Sequence, residues 1–494
     1  MKVSIAYPPM DDHKGIPLLS QNRQFQWFHN PTYIYPVVPA YAATLLKEDG
    51  FEVTWNDGIA SEQTFEGWFE EIKRQHPDLL VFEVKTPVIK RFWKIIDRIK
   101  EELSDIRIVL MGDHVTALPE ESLRNSKADY ILMGGDYDFL LLDLCSAIRS
   151  KTSLQELGSG FCFRTNGCII STGLYQTGRS LDILPYIDRE LTQYKRYATQ
   201  NGNFKYTPGT YQMAGRDCWW GACAFCSWTT LYPGKTYRTV SPQRHLDEIE
   251  MLVDQYRIKE IFDDAGCFPR GDWLKEYCRG FLDRGIHKKV TMGCNMRIGG
   301  LTEAEWRLLG KCNFRLVLIG LESVNNDTLK RLNKNIRVDQ IEKTFRMAKK
   351  AGLEPHVTTM VGYPWETRQD AIETLEFTGD LFRNGFVDSL QATIVVPYPG
   401  TPLFKMAQEN GWLITEDWEQ YDMRNSVWKS PISQKEVLRQ AQNLYKLALS
   451  PEFLLRKTLS IRSFEDLRYF VRSGVKFLGH LFDFNENIED RESP

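Results

Sequence analysis

The chain reads as an α/β protein with a doubly wound amino-terminal domain, a second β–α segment and a helical carboxyl-terminal region. Three observations predict this. Residues 1–150 alternate short apolar runs with helical patterns, and such alternation builds a parallel sheet with helices on both faces. The alternation pauses over a bridge at 151–206 and resumes over 207–404. From 405 to 494 the apolar spacing is mostly helical, as in Glu436–Ser450.

In the first domain the apolar runs predict strands at Val3–Tyr7, Glu52–Asn56, Leu79–Val84, Ile106–Met111 and Tyr130–Met133. Helices are predicted at Pro39–Glu48, Thr64–Gln75, Pro87–Leu103, Pro119–Arg124 and Phe139–Ser150. A Rossmann-like sheet of this kind binds ligands beyond the carboxyl ends of its strands. Three strand-to-helix loops draw attention there. The first contains Gln21–Pro36, in which nine of sixteen residues are Phe, Trp, Tyr, Gln or Arg. Those types suit contact with a ring and its amide arms, and equally suit burial against the next domain. The loops Gly112–Glu120 and Gly134–Asp138 follow the fourth and fifth strands, and their small residues let the backbone approach a ligand.

The bridge contains Gly158–Ile170, with Asn166-Gly167 between two apolar arms, a hairpin signal. A two-residue turn there pairs Cys168 with Thr165 and Cys162 with Ser171. Period-two alternation then sends the two cysteines to opposite faces, which predicts packing and no metal site. Ser180–Arg189 follows as a linker marked by Pro185.

With 494 residues the chain has room for two or three domains at ~150 residues each. A net charge of −3 gives no global basic field for nucleic acid. The first residues end at Pro8-Pro9 without a secretory apolar core, and no apolar run reaches the ~18 residues of a membrane span. A reducing cytoplasm is the expected location. Ten cysteines in a chain this long do not make a disulfide framework.

The most informative segment is Arg216-Asp-Cys-Trp-Trp-Gly-Ala-Cys-Ala-Phe-Cys226. Thiolates select zinc or iron–sulfur clusters. Structural zinc closes its shell with four protein ligands, and here three thiols, Cys218, Cys223 and Cys226, stand with no fourth cysteine or histidine close by in sequence. A cubane held by three thiolates leaves one iron open; a zinc knuckle or three buried cysteines are the alternatives.

The triplet, the aromatic Phe225 ahead of its last cysteine and the strand-like lead-in Gly209–Gly215 resemble those of radical S-adenosylmethionine (SAM) enzymes. The family's usual spacing is three residues then two; here it is four then two, and Gly221 supplies backbone freedom for the wider turn. Successive segments resemble the remaining barrel strands: Glu260–Gly266, Lys289–Arg297, Arg315–Ser323, His356–Glu366 and Gln391–Pro402. The two amino-terminal loops resemble those of the cobalamin-binding domain in one large radical SAM subclass, with Gly-Gly-Asp-Tyr replacing the more usual Gly-Glu-Gly-Glu in the second.

The resemblance implies a partial (β/α)6 barrel over 207–404, a 4Fe–4S cluster on the three cysteines, and SAM and cobalamin as further cofactors. It implies SAM contacts from Glu322, Ser323, Asp263, Asp264, Asn295, Arg297, Gly362 and Pro364. It also implies cobalamin contacts from Gly112, His114, Thr116, Gly134 and Gly135. Some cobalamin proteins carry an axial histidine after the first strand; His13 lies there, with its following glycine one residue early.

The implied chemistry is reductive cleavage of SAM and methylation of an unactivated carbon in a small-molecule, lipid or peptide substrate. The electron would come from an external donor such as flavodoxin or ferredoxin. A ring-forming or ring-contracting oxidoreductase is the second reading, and a non-catalytic zinc or electron-carrier protein the third. A methylthiotransferase carries a second cysteine set in its first domain, and the first 144 residues here hold no cysteine. In the tail, Phe470–Phe482 is amphipathic with Arg472 and Lys476, suited to covering the barrel's open side more than to a membrane surface. Trp412, Trp418, Tyr421 and Trp428 suit either substrate entry or core.

Overall fold

The computed structural model describes residues 1–10, 12–20, 25–176 and 178–475. Seven strands form the first sheet: β1 Lys2–Tyr7, β2 Glu52–Asp57, β3 Leu79–Glu83, β4 Arg107–Met111, β5 Tyr130–Leu132, β6 Phe161–Thr165 and β7 Cys168–Ser171. Their spatial order is β2-β1-β3-β4-β5-β6-β7, with the first five parallel. All five residues of β3 are buried, as expected of a parallel strand covered on both faces. The order reverses between β1 and β3, the switch point where such sheets open a ligand crevice.

The hairpin joins this sheet through antiparallel pairing of β5 with β6, and its register sets Thr165 against Cys168 and Cys162 against Ser171. Cys162 is buried and Cys168 exposed, the opposite-face arrangement that the alternation predicts. After β4 the chain does not form an open loop. Gly112, at φ 128°, turns the backbone directly into a helical turn at Asp113–Ala117, followed by a helix at Pro119–Asn125.

The second sheet has six parallel strands in sequence order: β8 Gly209–Gln212, β9 Glu260–Asp263, β10 Thr291–Arg297, β11 Phe314–Glu322, β12 Glu354–Val361 and β13 Ser389–Ile394. Helices separate them, which makes the partial barrel. β13 is an edge, and the carboxyl-terminal helix Gln434–Lys446 covers it. Val437, Leu438, Ala441 and Leu444 pack on Val361 and Ile394, and Tyr445 Oη donates to the Ala392 carbonyl at 3.0 Å. Covering an edge in this way prevents further strand pairing.

Trp418, Tyr421 and Trp428 are core, and Trp412 is half-buried beside it. Trp418 packs edge-on against His114 with ring centroids 5.4 Å apart, Trp428 donates to the Gly362 carbonyl at 2.7 Å, Trp412 meets Trp365, and Tyr421 is fully buried. Of the segment Phe470–Phe482, residues from Lys476 onward lie outside the described residues; Arg472 donates to the Phe204 carbonyl. Among the described residues no helix is long and apolar enough to cross a membrane.

Candidate active site

The cysteine loop leaves β8 through a short ladder, Gly215–Arg216 against Arg238–Thr239. Cys218, Cys223 and Cys226 are all half-buried. The Cys267 thiol, then backbone N–H groups of Gly221 and Trp220 and the charge of Arg297, hold the Cys218 thiol down at about 6. Burial pushes Cys226 up, against an N–H from Trp228. Amide donors aimed at cysteine sulfurs stabilise the thiolate that a metal requires. Among the described residues, no three or more His, Cys, Asp and Glu side chains converge on one point as a single ion needs. Three cysteines on one loop, with backbone N–H donors at Cys218, are a donor set whose chemistry suits an iron–sulfur cluster.

Glu322 ends β11 at a register shift in its pairing with β12 and takes a left-handed backbone, φ 64°. A non-glycine residue in that conformation beside a bulge marks a site where a side chain is aimed at the expense of local ease. Its carboxylate meets Lys334 Nζ at 2.5 Å, both side chains at most 7% exposed. Lys334 Nζ also lies 5.6 Å from the Phe225 ring centroid, beside the last cysteine. Sequence reasoning missed Lys334. The available signal was Asn333-Lys-Asn335: asparagine tolerates left-handed backbone, and both asparagines adopt it, at φ 51° and 49°.

The other implied SAM residues separate into two groups. Asp264 and Asn295 meet, with Asn295 Nδ2 donating to Asp264 Oδ1 at 3.3 Å and to the Ala265 carbonyl at 2.9 Å. Arg297 donates to the Lys334 carbonyl and lies over Trp220, its guanidinium carbon 4.4 Å from the ring centroid. By contrast Asp263 turns away: it accepts the Ala214 N–H at 2.8 Å and faces His245 on the helix Pro242–Asp254 at 3.2 Å. Strand alternation explains the split, since neighbouring residues point to opposite faces.

The Ser323 hydroxyl accepts the Asn325 N–H at 3.1 Å. Gly362, at φ 93°, donates its N–H to Glu366 and accepts from Trp428, so its backbone polar groups are consumed within the protein. Pro364 lies half-buried in the same turn.

A cavity of about 130 Å³ lies where the two sheets' ligand-facing ends meet. The first domain lines it with Phe25 from the segment after β1 and with Lys85, Thr86, Pro87 and Asp113 at the ends of β3 and β4; the barrel side contributes Phe225, Cys226, Ser227, Trp228, Met360 and Val396. Lys85 and Asp113, missed in the sequence reading, are both buried polar groups of this wall. The end of β3 borders the switch point and the end of β4 lies beside it; together they offer charged and hydroxyl groups there, which fits a polar-edged cofactor such as a corrin.

The five residues expected to touch cobalamin are not among those lining this cavity. Both ring nitrogens of His114 are engaged, Nδ1 with Thr86 Oγ1 at 3.2 Å and Nε2 with Glu121 at 3.0 Å. Thr116 Oγ1 donates to the Gly112 carbonyl at 2.7 Å and accepts the Gly134 N–H at 3.1 Å, tying the two loops together. Gly135 abuts Tyr232, whose ring would lie 2.1 Å from a Cβ at that position. His13 is exposed and pairs with Asp12 at 2.9 Å.

The acidic loop instead grips the cysteine loop. Arg216 Nη1 donates to Asp136 Oδ1 at 3.0 Å and to Asp138 Oδ1 at 2.8 Å, and Nη2 bonds Asp138 Oδ2. Arg238 completes the group on Asp136 at 2.6 Å.

Comparison with known proteins agrees with this geometry. The chain matches the B12 binding domain model over residues 31–139 and the Radical SAM superfamily model over 214–378. An uncharacterized methyltransferase of Pyrococcus horikoshii is 25% identical over 90% of this chain and 93% of its own length. An anaerobic magnesium-protoporphyrin IX monomethyl ester cyclase of Cereibacter sphaeroides is 23% identical over 86% of this chain and 68% of that protein.

Among solved structures, the radical SAM methyltransferase TsrM from Kitasatospora setae, with cobalamin and a 4Fe–4S cluster bound, superposes with a TM-score of 0.67 at 14% identity, covering 97% of this chain and 99% of that one. The cobalamin-dependent SAM radical enzyme OxsB, with aqua-cobalamin and SAM bound, gives 0.70 at 14% identity, covering 97% and 72%. A B12-binding domain joined to a radical SAM barrel, with three cysteines on the loop after the barrel's first strand, makes this chain a member of the cobalamin-binding subclass of radical SAM enzymes.

Proposed function

We propose that the protein is a cobalamin-dependent radical SAM methyltransferase that modifies an unactivated carbon of a small-molecule, lipid or peptide substrate. The observation that carries this reading is the shared cavity, with Lys85, Thr86 and Asp113 on one wall and Cys226, Trp228 and Met360 on the other. When bound, the cluster supplies the electron that splits SAM into methionine and a 5′-deoxyadenosyl radical, and cobalamin supplies a transferable methyl group.

The chain's own residues position and shield. Cys218, Cys223 and Cys226 are the cluster ligands. Glu322 and Lys334 present opposite charges 2.5 Å apart, a match for the ammonium and carboxylate of an amino acid such as the methionine part of SAM. Asp264 and Asn295 add a second polar pair on the barrel's inner face. Phe225, Trp228, Met360 and Val396 make the cavity wall largely apolar, which excludes water from a reactive carbon centre. An external one-electron donor completes the reaction.

The similarity to a ring-forming cyclase favours one further reading, oxidative cyclisation without methyl transfer. Anaerobically reconstituted protein, assayed with methyl-deuterated SAM, separates the two. Release of 5′-deoxyadenosine with three deuteriums in the product supports methylation; unlabelled cyclised product supports the alternative. Protein that binds cobalamin and a cluster yet releases no 5′-deoxyadenosine refutes both.

A further inference from the structure

Three cations crowd the two tryptophans of the loop between the first two cluster cysteines. Its two tryptophans are half-buried and fixed in place: Trp220 donates its indole N–H to the Asn333 carbonyl at 2.8 Å, and Trp219 donates to the Phe268 carbonyl at 3.3 Å. Cations surround them. The Arg270 guanidinium carbon lies 4.0 Å from the Trp219 ring centroid, that of Arg297 lies 4.4 Å from Trp220's, and Lys235 Nζ lies 5.4 Å from the same ring.

Lys235 and Arg270 are exposed. Among the described residues none of these three cations forms an ion pair, whereas cations elsewhere on the barrel do: Arg284 with Asp247 and Glu250, Arg315 with Glu260 and Glu354. Cations left unpaired over aromatic rings form a positively charged, partly apolar face beside the loop that carries Cys218 and Cys223. Such a face attracts an acidic partner over distance and orients it on contact.

We propose that the Trp219–Trp220 loop, with Lys235, Arg270 and Arg297, is the docking surface for an acidic one-electron carrier protein. The inference rests on the cluster assignment above. In the transfer the carrier is oxidised by one electron and the cluster reduced by one, with no bond made or broken on this chain. The extra residue between Cys218 and Cys223 lengthens the loop that bears the two rings, giving the carrier a broader contact beside the cluster.

The test uses the full chain loaded anaerobically with cluster, and the hydroquinone form of an acidic flavodoxin as the probe. Stopped-flow bleaching of the cluster's visible absorbance reads the second-order rate. The exposed pair K235E/R270E is expected to lower that rate at least 10-fold at low salt, within the roughly 10–1,000-fold range of electrostatic steering. The neutral pair K235Q/R270Q is expected to fall between it and the native protein. The difference should shrink near 1 M salt, where the screening length is about 3 Å.

Photogenerated 5-deazariboflavin radical, small and uncharged, should reduce all three proteins equally. Equal flavodoxin rates in proteins carrying equal iron overturn the docking surface and leave the cluster assignment standing. A native chain that takes up no iron–sulfur cluster overturns both.

Discussion

Arg216, two residues ahead of the first cluster cysteine, forks onto Asp138 of the cobalamin-binding domain, its Nη1 2.8 Å from Asp138 Oδ1 with both side chains buried. The segment after β5 and the cysteine loop of the barrel are thereby joined through one guanidinium. Removing one partner of a buried pair leaves a stranded charge, so R216A or D138A should lose about 3–5 kcal/mol of stability. The paired apolar replacement R216M/D138L should lose far less. Chemical denaturation of the apo-protein checks both; a double variant as unstable as the singles would show that packing, and not charge, governs the junction.

Each cluster cysteine is expected to be indispensable. C218A, C223A or C226A should take up well under half the iron of the native chain after anaerobic reconstitution and lose the broad visible shoulder, because a cubane needs all its protein thiolates. Stoichiometric zinc in the natively purified protein, with no iron, would contradict the assignment.

Lys334 is expected to bind the carboxylate end of SAM. K334M should weaken SAM binding roughly 10–100-fold, about 1.4–2.8 kcal/mol, with K334R recovering part of it. Equilibrium dialysis against labelled SAM on cluster-loaded protein measures this, and an unchanged affinity would remove Lys334 from the site.

Burial pushes the Glu366 carboxyl from 4.5 up to about 8. An acid whose folded value lies above its unfolded one holds its proton more tightly when folded, so stability is highest below 4.5 and declines as pH rises toward 8. The decline attributable to Glu366 is of order 3–5 kcal/mol, taking about 1.4 kcal/mol for each tenfold change in proton affinity. E366Q should flatten the stability profile across that window and stabilise the protein at its alkaline end. A profile of unchanged slope would mean that the carboxyl is ionised in the folded protein.

Gly135 should not tolerate a side chain. In G135A the new methyl meets the Tyr232 ring, and overpacking of this kind costs about 1–3 kcal/mol. G135A/Y232A should be less destabilised than the sum of its single variants, a coupling that thermal unfolding reads directly.

Much of the architecture was legible in the residues. Apolar runs such as Leu79–Glu83 and Arg107–Met111 carry their own periodicity and burial, and the turn at Asn166-Gly167 sets a register that the sheet keeps. The cysteine triplet stood out because three thiols on one loop are held near one another whatever surrounds them.

Side-chain direction was not legible at this level. Asp263 and Asp264 are adjacent and chemically alike, yet one faces a helix and the other the barrel interior. Nor did the motif around His114 show that its two ring nitrogens meet Thr86 and Glu121.

What the sequence determined by itself was the set of local elements and the grouping of three cysteines on one loop, since both depend on residues within a few positions of one another. Only the tertiary structure decided which charges face each other. Asp138 meets Arg216 across 78 residues of chain, and Lys334 meets Glu322 only because a bulge turns that carboxylate through a left-handed backbone. Coulomb attraction and desolvation act through space, so the partners of a buried charge are set by how the sheets pack, which no local pattern encodes.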